Sequence, residues 1–320
     1  MKGLTRRRFL KMTGAVAGGV TLLGTGCTAK PSENARRQAP APTDDQAYVS
    51  VARGGNEPGG SDPGVITRAA VAALGGIERF VHPGDDVIIK PNICVAYHPP
   101  EYAATTNPKV VAALVDLCLG AKAKGVRVMD TPLGGAPESA YAVSGIEEAV
   151  RAAGGEMEVM SPVKFAEFAI PAGRDITAWK VYRDVLEADV LINVPIAKHH
   201  SLARLSLGIK NLLGVVADPN RMHRNLGQRA ADLISLVRPT LTVVDAVRIL
   251  TAHGPTGGSL NDVERTDTVI ASHDFVAADA YAATLFDLDG ADIAYVKAAA
   301  DMGLGRLDLE AIELEEIHVA

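Results

Sequence analysis

Cysteine is scarce in this 320-residue chain, which carries only Cys27, Cys94 and Cys118, with no CxxC or other cluster spacing. No iron–sulfur cluster or four-cysteine zinc site is therefore expected within the chain, and nothing in the spacing supports a Cys94–Cys118 disulfide. Aromatic residues make up only 4%, while hydrophobic residues reach 48% with abundant Ala and Gly. That balance disfavours an aromatic-rich β-sandwich and favours closely packed helix-on-sheet layers. A surplus of basic charge is missing as well. The net charge of −6 argues against a nucleic-acid surface, and no nucleic-acid partner is expected. Long apolar runs are also lacking: the stretch MTGAVAGGVTLLGTG is too short and glycine-rich to span a bilayer comfortably. No Walker loop, GxGxxG, GxSxG, HExxH or EF-hand pattern is present, and no nucleophile triad stands out.

What is present begins with a basic leader. Thr5-Arg-Arg-Arg-Phe-Leu-Lys11 fits the twin-arginine export pattern, so residues 1–27 are expected to be a targeting segment. Cys27 follows Gly24-Thr-Gly26 as a lipoprotein cysteine would, but Gly24 occupies the place of the usual leucine, so lipidation stays open. The expected location is periplasmic or a membrane-anchored lipoprotein, touching a membrane only through the signal or a lipid at Cys27. Residues 28–46 are polar and Pro/Ala-rich, which predicts a flexible tether. Residues 47–320 are expected to form a single α/β domain.

Within that domain, apolar runs of strand length alternate with helical patterns. Strands are predicted at 48–52, 86–90, 126–129, 157–160, 189–194, 240–244, 268–271 and 312–319. Helices are predicted near 63–77, 107–124, 138–153, 230–237, 274–286 and 292–302, with Asn107-Pro108 as a start signal. The order predicts a mainly parallel sheet with helices on both faces. A small excursion from the sheet is expected around 161–188, where alternation near Trp179–Tyr182 suggests an edge strand.

The densest chemistry lies in 189–225, DVLINVPIAKHHSLARLSLGIKNLLGVVADPNRMHRN. Pro195 interrupts a buried strand because it has no N–H to donate, and Lys198, His199 and His200 follow at once. Lys210-Asn211 sit in a helical run ending near Gly214, and His223 lies in a Pro/Asn-rich loop. Lys90 and Asn92, Asp130, Asn193 and Asp245 also sit at or just past predicted strand ends. In a parallel sheet those ends share one edge, where ligands bind. A local positive patch on an acidic protein suits an anionic small molecule. Lys90 is either a solvent-reaching lysine or an anion contact. His199 and His200, adjacent on a strand, would point to opposite faces, so at most one would enter a given site. With His223 and His253 the histidines offer a metal site without close ligand spacing, and the metal, if any, is unknown. Asp245 reads equally as a metal ligand, a general base or a cap. The loop His253-Gly-Pro-Thr-Gly-Gly258 looks like an anion cradle, which makes Gly254 a cofactor-binding candidate.

Taken in order, Val87-Ile-Ile-Lys-Pro-Asn92, Asp189-Val-Leu-Ile-Asn-Val-Pro195, Lys198 with His199/His200, Lys210-Asn-Leu-Leu-Gly214, His223, Val244-Asp245, Gly254-Pro255 and Ala277-Ala-Asp279 resemble the bacterial and archaeal family called domain of unknown function 362. The resemblance covers about residues 47–318. Many members of that family carry twin-arginine signals and many carry a ferredoxin-type cysteine domain. This chain lacks those cysteines, so an iron–sulfur label does not carry over. The family has no assigned activity.

Two functions are compatible with these residues. One is an enzyme, by redox chemistry or isomerisation, in which Lys90, Asn92, Lys198, Lys210, Asn211 and Gly254 hold an anionic molecule or cofactor while His199, His200, His223 and Asp245 supply acid–base or metal-binding groups. It expects Lys198→Ala and His223→Ala to remove turnover with little change in thermal midpoint. The other is a non-catalytic envelope protein that captures an anionic ligand or docks a redox partner protein.

Overall fold

The computed structural model describes residues 40, 41, 43, 46–55 and 60–319. The twin-arginine pattern, Cys27 and most of the 28–46 tether lie outside the described residues.

Strand β1 (Val49–Gly54) leads to helix α1 (Pro63–Ala73), whose cap Asp62 accepts the Gly64 and Val65 N–H groups. Strand β2 (Asp86–Pro91) leads to α2 (Pro108–Gly120), where Asn107 accepts the Lys109 N–H and proline takes the first turn, as the Asn-Pro pair predicts. Next come β3 (Gly125–Val128), α3 (Pro137–Val143), α4 (Ile146–Ala152) and the two-residue β4 (Glu156–Met157). The predicted excursion is a separate antiparallel hairpin of β5 (Phe165–Ala169) and β6 (Ala178–Tyr182). The chain continues through α5 (Asp184–Glu187), β7 (Val190–Val194), β8 (Ile196–His200), β9 (Arg204–Ser206) and α6 (Gly208–Asn211). It ends with α7 (Leu226–Val237), β10 (Leu241–Leu250), β11 (Val263–Ser272), α8 (Phe275–Thr284), α9 (Ala294–Asp301) and β12 (Leu314–Val319).

The main sheet has the order β12-β1-β11-β10-β7-β2-β3-β4, with β8 paired to the far half of β10 and to β9. β11 runs antiparallel to β1 and β10, and the other junctions along that row are parallel. Side chains alternate between faces. Along β2, Val87 and Ile89 join one core with α1, α2 and α4, while Ile88 joins the other with α7, α8 and α9. Each such buried aliphatic side chain contributes about 1.5–3 kcal/mol relative to exposure. The fold is thus the expected α/β sheet, mainly parallel, with helices on both faces.

The connections diverge between β7 and β2. From β2 the chain moves outward to β3 and β4, whereas from β7 it moves the other way to β10. Open α/β sheets place ligands at such a switch point, outside the carboxyl ends of the strands.

Four local departures from the sequence expectation have physical causes. The helix expected over 138–153 is broken at Gly145, whose φ of 70° lies in the left-handed region. The helical run around Lys210 is a single α-turn followed by a 3-10 turn at Leu212–Val215. Pro195 interrupts the β7 ladder, yet the chain stays extended as β8 because it finds new partners in β10 and β9. For the same reason β10 does not stop at Asp245 but runs on to Leu250.

Candidate functional site

The floor of the site is a closed hydrogen-bonded layer. β2 carries Lys90 to its carboxyl end, where the side chain is only 1% exposed. A lysine has three donors, and here each has an acceptor: Asp130 Oδ1 at 2.8 Å, Asn211 Oδ1 at 2.8 Å and the Pro91 carbonyl at 2.9 Å. Asp130, just past β3, also accepts the N–H groups of Ile93 at 2.7 Å and Thr131 at 2.9 Å. Asn211 donates through Nδ2 to Asn193 Oδ1 at 2.8 Å, and Asn193 donates to the Gly208 carbonyl at 2.9 Å. The layer therefore ties β2, β3 and β7 to the α6 turn. Burial pushes the Lys90 ammonium down from its ordinary value and the Asp130 carboxyl up, with their mutual attraction opposing both shifts. Gly214 roofs the pair, and a Cβ there would run into Asp130 Oδ1 and Lys90 Nζ.

Lys198 forms one wall. It is 1% exposed, and its Nζ donates to the carbonyls of Ala104 (2.6 Å) and Pro255 (2.9 Å) and to Asn92 Oδ1 (2.8 Å). The 254–258 loop reaches this lysine because Gly254 packs directly on β8. A Cβ at Gly254 would overlap the His199 carbonyl oxygen, and the Gly254 N–H donates to His199 Nδ1 at 3.1 Å.

Lys210 differs from both. Its side chain lines the same cavity, and among the described residues its amine has no hydrogen-bond or ion-pair partner. Burial, with the charge of Lys198 adding to it, lowers its pKa to about 8. His200 stands nearby on β8. Its Nδ1 accepts the N–H groups of Leu202 (3.1 Å) and Ala203 (3.3 Å), so the ring proton must sit on Nε2. Burial, then the Lys210 charge, lowers its pKa to about 3, which makes it a neutral donor at physiological pH. In its neutral form His223 takes the opposite tautomer: Nδ1 lies 3.3 Å from the Asn220 carbonyl, which can only accept, so the lone pair of that form is on Nε2. The His200 and His223 ring centroids are 6.5 Å apart.

These groups enclose a cavity of about 260 Å³ at the switch point. Of the residues singled out by sequence, the structure brings together Lys90, Asn92, Lys198, His200, Lys210, Asn211 and His223 along its lining. His199 does not join them. It lines a neighbouring cavity, which His200 also borders. Asp245 is also elsewhere. Lying inside a continuous strand, it is fully buried and accepts the Asn107 N–H at 2.6 Å and the Val247 N–H at 3.0 Å. Burial raises its pKa to about 6. It is an anchor for the start of α2, not a wall of the cavity. Gly254 acts through close packing while its neighbour Pro255 touches the site. His253 is exposed and pairs with Asp262 at 3.0 Å. Among the described residues, no three His, Cys, Asp or Glu side chains gather as a metal ion would need.

Three participants were not marked as site residues by sequence. Cys94 lines the cavity as a free thiol, 5% exposed; the strand-end rule that exposed Lys90 and Asn92 stops two residues short of it. Ser206 also lines the cavity, brought there by pairing opposite Lys198. Asp279, part of the Ala277-Ala-Asp279 motif, supports the site from behind by accepting the Gly208 N–H at 2.6 Å and the Ile209 N–H at 2.8 Å. Burial raises its pKa to about 7.

Residues 87–284, which span every element of this site, match the profile described as Domain of unknown function (DUF362). The chain belongs to this family. A relative within reach of sequence comparison is the thylakoid-associated protein sll1697 of Synechocystis sp., 26% identical over 254 residues, which are 74% of each chain. Among solved structures, the lactate racemase apoprotein of Thermoanaerobacterium thermosaccharolyticum aligns with a TM-score of 0.43 at 12% identity. That alignment covers 71% of this chain and 55% of the racemase, so this DUF362 chain spans just over half the length of that protein.

Proposed function

We infer that the cavity binds an anionic small molecule and acts on it as an enzyme. The observation that carries this reading is Lys210. Lys210 is half-buried, and among the described residues its amine has no hydrogen-bond or ion-pair partner. A partly desolvated cation left unpaired is costly, and natural sites retain such a group where a ligand supplies the missing charge. Lys90 and Lys198 have no donor left for a ligand, so they act through their field, while Lys210 makes the contact. The lining carries three lysines against the single carboxylate of Asp130, which leaves an excess of positive charge for a phosphate or carboxylate to meet. The volume suits a molecule smaller than most drug-sized ligands.

The chemistry supported best is proton transfer. His200 offers a neutral N–H to a polarised carbonyl or hydroxyl oxygen, and the His223 Nε2 lone pair is a base on the same cavity. The test is incubation of the protein in D₂O with a panel of oxo acids, hydroxy acids and small phosphate esters, followed by NMR. Deuterium incorporation or product formation, removed by His223→Gln, supports the reading. A panel that neither binds nor exchanges contradicts it.

The proposal extends to location, supported by Thr5–Lys11. Fractionation should find the protein outside the cytoplasm, and replacing the arginine pair by lysines should hold it inside. Retention of both forms in the cytoplasm would contradict export.

A further inference from the structure

We propose that Cys94 is the nucleophile of this cavity and forms a covalent bond to a carbonyl carbon of the anionic ligand. The inference rests on the anion-binding reading of the same pocket and adds to it the substrate class, an anionic carbonyl compound. Two cysteines of the described chain show why Cys94 is singled out. Cys118 lies in α2 among apolar side chains, where burial pushes its thiol up to about 12. Such a cysteine is an inert packing group. Cys94 lies in a different environment. Its backbone N–H is fixed by Thr105 Oγ1 at 3.1 Å and its Sγ lies 3.5 Å from the Pro255 carbonyl oxygen. Its side chain shares the cavity lining with Lys90, Lys198 and Lys210, and its thiol and the Lys198 ammonium both meet the Pro255 carbonyl oxygen. A thiolate here would meet three ammonium groups in a buried cavity, the electropositive setting of reactive cysteines.

The step balances without a co-reactant. The thiol proton passes to the Nε2 lone pair of His223 in the same lining, while the Lys210 ammonium holds the anionic group. The sulfur forms an S–C bond as the carbonyl π pair moves to oxygen. That oxygen then takes the proton from the His223 imidazolium, giving a hemithioacetal with no group expelled. His200 Nε2–H is positioned in the same lining to donate a hydrogen bond to the developing oxyanion.

Competitive alkylation of the folded full-length protein tests this, with iodoacetate and iodoacetamide as probes and each cysteine read by peptide mass. Both reagents form an S–CH₂ bond and expel iodide, but only iodoacetate carries a carboxylate. A free thiolate favours the neutral reagent because like charges repel. The expected result is that iodoacetate labels Cys94 about tenfold faster than iodoacetamide, through concentration of the anion in a positive cavity, while Cys118 stays unlabelled. Lys210→Met should return the ratio to that of a free cysteine. Cys94→Ser should retain phosphate or oxalate binding by calorimetry while losing the label. If Cys94 is labelled by neither reagent until the protein is denatured, while phosphate or oxalate still binds, the nucleophile is overturned and the anion pocket stands. If iodoacetamide is the faster reagent at Cys94 and no anion binds, the pocket reading fails and takes the proposal with it.

Discussion

Strands β2 and β3 carry a charge cluster at each end, and the two are built differently. At the amino ends, Arg127 contacts Asp86 at 2.7 Å, Glu158 at 2.8 Å and Asp184 at 2.7 Å, while Lys164 contacts Glu158 and Asp184 at 2.8 Å each. Every charge there meets an opposite charge, and these attractions push the Arg127 guanidinium further up despite its burial. At the carboxyl ends, Lys90 and Asp130 form one pair, Lys198 is satisfied by neutral oxygens, and Lys210 has no partner among the described residues. The first cluster is complete and serves to hold β2, β3 and α5 together. The second is complete only in its lower layer, so its function is carried by what the upper layer leaves open.

The largest expected effect lies in that lower layer. Lys90→Met leaves Asp130 buried without its counter-charge and should destabilise the protein by about 3–5 kcal/mol in denaturant unfolding. Lys198→Ala, for which the sequence predicts little change in thermal midpoint, leaves two carbonyls and Asn92 without their donor. It should therefore lower stability by about 1–3 kcal/mol for each group left unsatisfied and dry. A thermal midpoint unchanged by either substitution would break the distinction between a structural lower layer and a functional upper one.

Arg127→Met sharpens the comparison from the other end. Its side chain is 21% exposed, so water replaces part of what is lost, and the expected destabilisation is about 1–3 kcal/mol. Anion binding, read by calorimetry, should not change. A change would mean that the two clusters are coupled through the strands.

The pH dependence separates them again. Lys210, lowered to about 8 from 10.5, loses its charge in the folded protein before the unfolded chain does. Between those values the unfolded state holds more protons, so its contribution to stability rises with pH and is fully present above 10.5. Anion affinity moves the opposite way and should fall about tenfold per pH unit once Lys210 deprotonates. His200, lowered to about 3, does not change charge in this range. An affinity flat up to pH 10 would remove Lys210 as the anion contact.

Much of this arrangement was legible in sequence, for reasons that also mark where legibility ends. Strand ends were visible as Lys90-Pro-Asn92, Asp130 and Asn193 after apolar runs, and parallel pairing brings such ends to one edge. Strand alternation anticipated that only one of His199 and His200 would line this cavity, although both border the neighbouring one. The saturation of Lys90 and Lys198 was not visible, because their partners are backbone carbonyls, the amides of Asn211 and Asn92 and the Asp130 carboxylate, brought together only by the fold; Asn211 lies 121 residues from Lys90. Asp245 was misplaced because pairing with β8 and β11, not its own sequence, extends β10 beyond it. Cys94 passed unmarked because a cysteine's reactivity depends on the charges around it, and those arrive from three separate segments.

The smallest expected effect on stability belongs to the most informative substitution. Lys210→Met removes a half-buried cation that has no partner among the described residues, so the thermal midpoint should hold or rise slightly. Calorimetric titration of the wild type and this variant with phosphate and oxalate at pH 7 is the direct measurement. The account predicts binding to the wild type and none to the variant, with both equally stable. Equal binding to the two proteins, or a variant that unfolds, would contradict it.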